Sequence, residues 1–377
     1  MDNFKVPLKS PKPDIERFLA AMRGEIELER VPLVEYIVDN SLLRLIVEEL
    51  LGLKWISIFD GTGVWGGESA LIKNNREEVF RWYDNFITFW YRMGYDFVRM
   101  ELMPNYPAEA LSAPDTGDRE GKTQRNWQKL SAGPIGSWDD FERYPWPEIG
   151  ESDFLVHGYI CDHLPEGMGF ISCHAGGIYE HTSRLMGYEN LCINLIENRD
   201  LVRAVSDRIG EIILRYNRHL LQLDRLVALF QGDDFGYNTQ TLISPDDLRV
   251  FFLPWHKRYA RQAHEQGRSY FLHSCGKVDE IIEDLIEDIR IDGKHSFMEE
   301  VAPVKEAKKL YGDRICLLGG VDMNQLASAD ISLLRQYVRS IIDECKDGGR
   351  FALGAGNSIP SYIPVANYLT MIDEALR

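Results

Sequence analysis

The sequence predicts an α/β fold, a single-domain (β/α)8 TIM barrel, on three observations: short apolar runs alternate with longer amphipathic stretches, eight such runs can be placed, and most end in a residue able to do chemistry. A chain of 377 residues that is 45% hydrophobic is long enough for one such barrel with its own large core. Taken in order, LVEYIVD (33 to 39) and DFVRMEL (96 to 102) supply the first two strands. GFISCHA (169 to 175), VALFQGDD (227 to 234), SYFLHSC (269 to 275), IRIDGKH (289 to 295), ICLLGGVD (315 to 322) and FALGAGN (351 to 357) supply the rest.

Between strands, residues 198 to 222 carry apolar positions at helical spacing. Ser244-Pro245-Asp246-Asp247 offers a capping hydroxyl and a first-turn proline, so one helix is expected from there to Gly267. Residues 1 to 30 read as an N-terminal helical extension. Residues 103 to 150, rich in Pro, Gly, Asp and Trp, read as a long excursion at the C-terminal face, where barrels keep their active sites.

Composition narrows the partners. A net charge of −17 and a pI near 5.0 oppose nucleic-acid binding, which runs on Lys and Arg displacing counterions. Six scattered cysteines and an opening without an apolar signal segment suit a reducing cytoplasm, and no run is long and apolar enough to span a membrane. The expected partners are small molecules or proteins.

The strand ends hold the chemistry: Asp39-Asn40, Glu101, Cys173-His174, Asp233-Asp234, His273-Ser274-Cys275, His295, Asp322 and Asn357. An i, i+2 pair at a strand end turns both side chains to one face, so His273 and Cys275 can share Zn2+, which accepts mixed N and S ligands. A buried histidine beside a buried free cysteine would give the same spacing. The third metal ligand must come from another strand. Cys316 is the first choice, ahead of Asp233, His295 and Cys173. Of the adjacent Asp233 and Asp234 only one should enter the barrel, to orient a substrate donor or to support a metal-bound histidine. Trp65, Trp90, Tyr91, Trp138, Tyr144, Trp146 and Tyr179 load the N-terminal half with aromatics, most of them packing. Tyr179 and His181 are the ones chosen to line a substrate pocket, with Glu101, His174 and Asn357.

FQGDDFG, LISPDDLRVFFLPWHKR, FLHSCGKVDEIIEDLIE, LYGDRICLLGGVD and FALGAGNSIPSYIPVANYLTMIDEA, in that order, resemble the uroporphyrinogen decarboxylase superfamily, and GSWDDFERYPWPE (136 to 148) resembles its linker. The resemblance implies a (β/α)8 barrel. Porphyrin decarboxylases carry an Arg-rich loop reading like RQAGRY after the first strand; here EYIVDNSLLRLIVEEL is acidic, which disfavours a substrate with many carboxylates. The other branch holds the cobalamin-dependent methyltransferases. His273-x-Cys275 is similar to the first two zinc ligands of the coenzyme M type, whose third, a late cysteine, is replaced by the stretch holding Ala352, Ala355 and Asn357. GKHSFMEEVAPVKEAKKLYGDR and GAGNSIPSYIPVANYLTM look more like O-demethylase-type members. The resemblance therefore implies transfer of a methyl group from a methoxylated, aromatic or related donor to the cobalt of a corrinoid. No Asp-x-His-x-x-Gly motif is present, so a partner protein is expected to carry the corrinoid. Asp234, His295 and Asp233 are the expected proton-handling residues, His273, Cys275 and Cys316 the expected zinc ligands, and a homodimer the expected assembly. A decarboxylase and a non-catalytic corrinoid- or tetrapyrrole-binding barrel are the alternatives.

Overall fold

The computed structural model describes residues 4–58, 68–108, 110–114, 124–128 and 131–377; Trp65 lies outside them. Its centre is a curled parallel sheet of seven strands. Along the chain, β1 is Phe97–Leu102, β2 Ala110–Pro114, β3 Gln124–Gln128, β4 Gly169–His174 and β5 Leu226–Gly232. Then follow β6 (Ser269–His273), β7 (Gly293–His295), β8 (Cys316–Leu318) and β9 (Phe351–Ala352). The sheet order is β1-β4-β5-β6-β7-β8-β9, while β2 and β3 pair antiparallel within the expected excursion. Strands such as Gly169–His174 are buried along their whole length, as parallel strands covered by helices must be.

The expected first strand is not a strand. Residues 33 to 39 run beside the end of β9, touching it only at isolated bridges, Leu33 to Leu353 and Val38 to Ile359. The reason is local: the buried Glu35 carboxylate accepts the Ala355 N–H at 3.2 Å, a donor that a continuous ladder would have used. The segment nevertheless fits tightly, since a Cβ on Gly354 would lie 1.7 Å from the Val34 carbonyl oxygen. Among the described residues no backbone ladder joins it to β1. Side chains bridge that gap instead, Tyr36 Oη donating to Glu101 Oε2 at 2.9 Å.

Other elements follow their local chemistry. The helix Arg199–Leu220 fills the stretch read as helical, with Asn198 capping Leu201 N. Ser244 Oγ accepts from Asp247 N at 3.1 Å and starts Pro245–Phe251. The single helix expected there is broken at Phe252, because Pro254 in the next segment, Leu253–Glu265, cannot donate back into the preceding turn. Within residues 1 to 30 the helical part is Ile15–Met22. Among the described residues no helix is long and apolar enough to cross a membrane.

Replacing Gly354 by Ala is expected to unseat residues 33 to 39 from β9 and to destabilise the fold by about 1–3 kcal/mol, the usual cost of overpacking. The fall in the urea midpoint at unchanged m-value is the measurement.

Candidate metal centre

Parallel register puts the ends of β5, β6 and β7 side by side: Gly232 faces His273, and His273 faces His295. The chain leaving β5 turns at Asp233-Asp234, and the two carboxylates part. Asp233 points into the protein, fully buried, accepting from Tyr179 N and Glu180 N at 3.0 Å each and from His256 Nε2 at 2.9 Å. It anchors the start of the helix Ile178–Met186, so the structure gives it a scaffold position rather than a place among the reacting groups. Asp234 points the other way. Its Oδ1 accepts from Cys275 N at 2.8 Å and lies 3.5 Å from His273 Nε2. Cys275 Sγ lies 3.4 Å from the same Nε2, and Asn357 Nδ2 donates to that sulfur at 3.3 Å.

Asp234, His273 and Cys275 thus form a triad whose ligand atoms all lie within 4.8 Å of one another. Four-coordinate zinc with its usual bond lengths sets neighbouring N, O and S ligands about 3.4–3.6 Å apart. The observed N–S and N–O separations of 3.4 and 3.5 Å fit.

Proton positions in the cluster follow from its hydrogen bonds. His295 Nε2 lies 3.1 Å from the Ala355 carbonyl, which can only accept, so this nitrogen carries the hydrogen. Burial pushes His295 down to about 3, so the ring is neutral and its Nδ1 is a bare acceptor. His273 Nδ1, 2.6 Å away, must then be the donor. His273 is also held neutral, its pKa driven well below the usual value by burial and then by His295. Its Nε2 is left with a free lone pair facing Cys275 and Asp234. A bare nitrogen and a carboxylate converging on one thiol, whose proton is the only one among them, suit a cation that displaces that proton. Burial, followed by the Asp234 charge, pushes Cys275 up to about 12, so the thiol keeps its proton until a cation displaces it.

Below the triad, aromatic stacking sets the floor. The Tyr36 ring lies flat on His273, centroids 4.1 Å apart with 7° between planes, and the Arg99 guanidinium covers its other face at 3.7 Å. Arg99 is buried and paired with Glu101, which also takes the Tyr36 hydroxyl. Gly232 is what makes room, since a Cβ there would fall 2.2 Å from Tyr36 Oη.

Not every expected residue reaches this cluster. Cys316 opens β8 opposite Gly293, at the far end of the sheet, and burial pushes its thiol up; it lies away from His273 and Cys275, and Asp234 is the residue that stands with them. His295 has both nitrogens engaged and therefore positions His273 rather than exchanging protons with a substrate. His174 and His181 form a buried group around Tyr106: His174 Nε2 meets Tyr106 Oη at 3.1 Å, His181 Nε2 donates to Ala175 O at 2.9 Å, and the His181 ring stacks on Tyr106. Burial lowers both imidazoles, His181 to about 4. Tyr179 is buried against Phe252 and Phe235. These three pack the wall behind β4. Asp39 and Asp322 cap helices, accepting from Ser41 N and Asn324 N at 2.8 Å each.

Three residues that sequence reading passed over belong to the surroundings of the triad. Glu180 is raised well above the usual carboxyl range, first by burial and then by the charges of Asp234, Asp233 and Glu101. Lys294 is buried, donates to Ser296 O at 2.8 Å, and is lowered to about 8 by burial while Cys275 and Asp234 resist the shift. Tyr36 lies in the run read as the first barrel strand. The one available signal was its place in a run that also holds the equally buried Glu35.

Residues 132–377 match the sequence model of the family described as uroporphyrinogen decarboxylase (URO-D). The chain belongs to that family. The matched region holds the whole triad, whereas Tyr36, Arg99 and Glu101 precede it. This URO-D family member matches none of the curated proteins by sequence. Among solved structures it is similar to a methyltransferase from Methanosarcina mazei, with TM-score 0.65 and 16% identity, over 97% of this chain and 98% of that one. It is also similar to a B12-independent methionine synthase from Shewanella sp. W3-18-1 in complex with selenomethionine, with TM-score 0.57 and 9% identity, over 93% and 96% of the two chains. At such identities the likeness concerns the fold alone, and it spans nearly the full chain.

His295→Ala should leave the three ligand residues in place yet free His273 to rotate and change tautomer. Zinc affinity of the URO-D family member is expected to fall about 10–100-fold, the usual cost of losing such a support, as read by competition with a chromophoric chelator.

Proposed function

We propose that this protein is a methyltransferase that takes a methyl group from a methoxylated, aromatic small molecule and delivers it to the cobalt of a corrinoid carried by a partner protein. The observation that carries the reading is the Asp234–His273–Cys275 triad at the C-terminal ends of the strands. The methyltransferase and the B12-independent methionine synthase among the fold's neighbours support methyl transfer, while the corrinoid acceptor rests on the sequence resemblance alone.

Zn2+ held by Asp234, His273 and Cys275 would supply Lewis acidity toward an ether oxygen, lowering the basicity of the leaving group. The chain's own residues do the rest. Tyr36, pinned between His273 and Arg99, fixes the tilt of the His273 ring. Glu180, whose carboxyl is raised above the usual range by burial and then by the Asp234 charge while Oε2 accepts from Gly177 N at 3.0 Å, is the residue assigned to give a proton to the departing oxygen. The O–CH3 bond breaks with both electrons staying on oxygen, which takes that proton, and the methyl group passes to the two-electron nucleophile cobalt(I). The Arg99 charge is spent on Glu101, which leaves that cation unavailable to hold substrate carboxylates beside Asp234. This disfavours decarboxylation of a substrate bearing many carboxylates.

Zinc-loaded protein incubated with cob(I)alamin and a panel of methoxylated aromatics is expected to form methylcobalamin and the matching phenol. No methylcobalamin from any donor, with zinc present at one per chain, would refute the reading. Glu180→Gln is expected to lower kcat about 100-fold with KM little changed. Because the acid must be protonated, the wild-type rate should fall as pH rises through the raised pKa of Glu180, and the variant should lack that limb.

A further inference from the structure

At the opposite end of the sheet from the triad, the segments entering β6, β7, β8 and β9 border a cavity of about 410 Å3. Its wall is apolar where Phe271 and Ile315 line it, and its rim carries Arg23, Arg290, Arg314 and Arg350 beside His264. The one carboxylate among the lining residues, Asp292, accepts at Oδ2 from His264 Nε2 at 2.8 Å and from Tyr270 N at 2.7 Å. Four guanidinium groups around one cavity stand out in a chain of net charge −17.

Two of the four are built in at a conformational cost. Arg290 and Arg350 are the only described non-glycine residues with left-handed backbone, φ 64 and 52, where glycine is the natural occupant. Each stands just ahead of a strand, Arg290 at the end of the π-helical turn Asp284–Ile289 and Arg350 after Gly348-Gly349. Neither side chain forms an ion pair or hydrogen bond with a described residue, whereas Arg23 is paired with Glu25 and Arg314 with Glu283 and Glu287. Gly24 leaves space for the Arg350 guanidinium, since a Cβ there would lie 2.8 Å from its Nε. Strained backbone kept at two points of one cavity rim, each point presenting an unpaired cation, marks a place where the side chain is worth more than the turn.

We propose that this cavity binds a small organic phosphate, its phosphate group on Arg290 and Arg350 and its apolar body against Phe271 and Ile315. Guanidinium forks match phosphate oxygens in pairs, and the volume is that of a small-molecule pocket rather than of a bare ion. The site is separate from the triad and independent of the methyl-transfer reading.

Calorimetric titration of the full chain with phenyl phosphate, inorganic pyrophosphate and neutral benzyl alcohol tests the proposal. Saturable binding of phenyl phosphate, tighter than either of the others, is expected. R290G and R350G should each weaken it at least tenfold while the Tm stays level or rises, because glycine relieves the left-handed strain. Absence of saturable phenyl phosphate binding, or binding that both variants retain, overturns the site. Pyrophosphate binding as tightly as phenyl phosphate overturns the organic ligand.

Discussion

A single hydrogen-bond relay decides what the end of the sheet can do. It runs from the Ala355 carbonyl through His295 to His273, and Glu35 seats Ala355 by accepting its N–H. Every link has one allowed direction, because a carbonyl cannot donate and both rings are held neutral by burial. The outcome is a lone pair on His273 Nε2 aimed at a thiol and a carboxylate. Reverse the bond between the two imidazoles and that nitrogen carries a hydrogen, which would close it to a metal ion.

The relay depends on a segment that is not part of the sheet. Residues 33 to 39 bring Glu35 to Ala355 and Tyr36 to the interior, where its ring is clamped between Arg99 and His273. Stacking fixes the tilt of the His273 ring while the relay fixes its protons. Two glycines permit this: Gly354 lets the Val34 carbonyl approach, and Gly232 yields its place to the Tyr36 hydroxyl. Failure to form a regular strand is therefore part of how the segment serves the site, since its polar side chains do the bonding that its backbone gives up.

How much of this could be read from the sequence varies with the range of the interaction. His273 and Cys275 were legible because an i, i+2 spacing at a strand end is a local rule. Asp234 was legible only as one of two adjacent carboxylates; which one turned inward was settled by the helix start that captured Asp233. Cys316 was misplaced because a cysteine at the beginning of a parallel strand lies at the opposite end of the sheet from the residues that finish its neighbours. Tyr36, Glu180 and Lys294 left no periodic mark. Their roles arise from contacts with residues distant in sequence, and burial of a tyrosine or lysine cannot be inferred from neighbours along the chain. Seven of the expected eight strands formed the sheet, and the eighth failed where Glu35 competed with the ladder.

The most direct test is the protonation pattern of the two histidines, read by two-bond 15N–1H correlation on 15N-histidine-labelled protein at neutral pH, with H273Q and H295Q for assignment. The expected result is two neutral rings of opposite tautomer, His273 protonated at Nδ1 and His295 at Nε2. A hydrogen on His273 Nε2, or a positively charged ring at either position, would contradict the account.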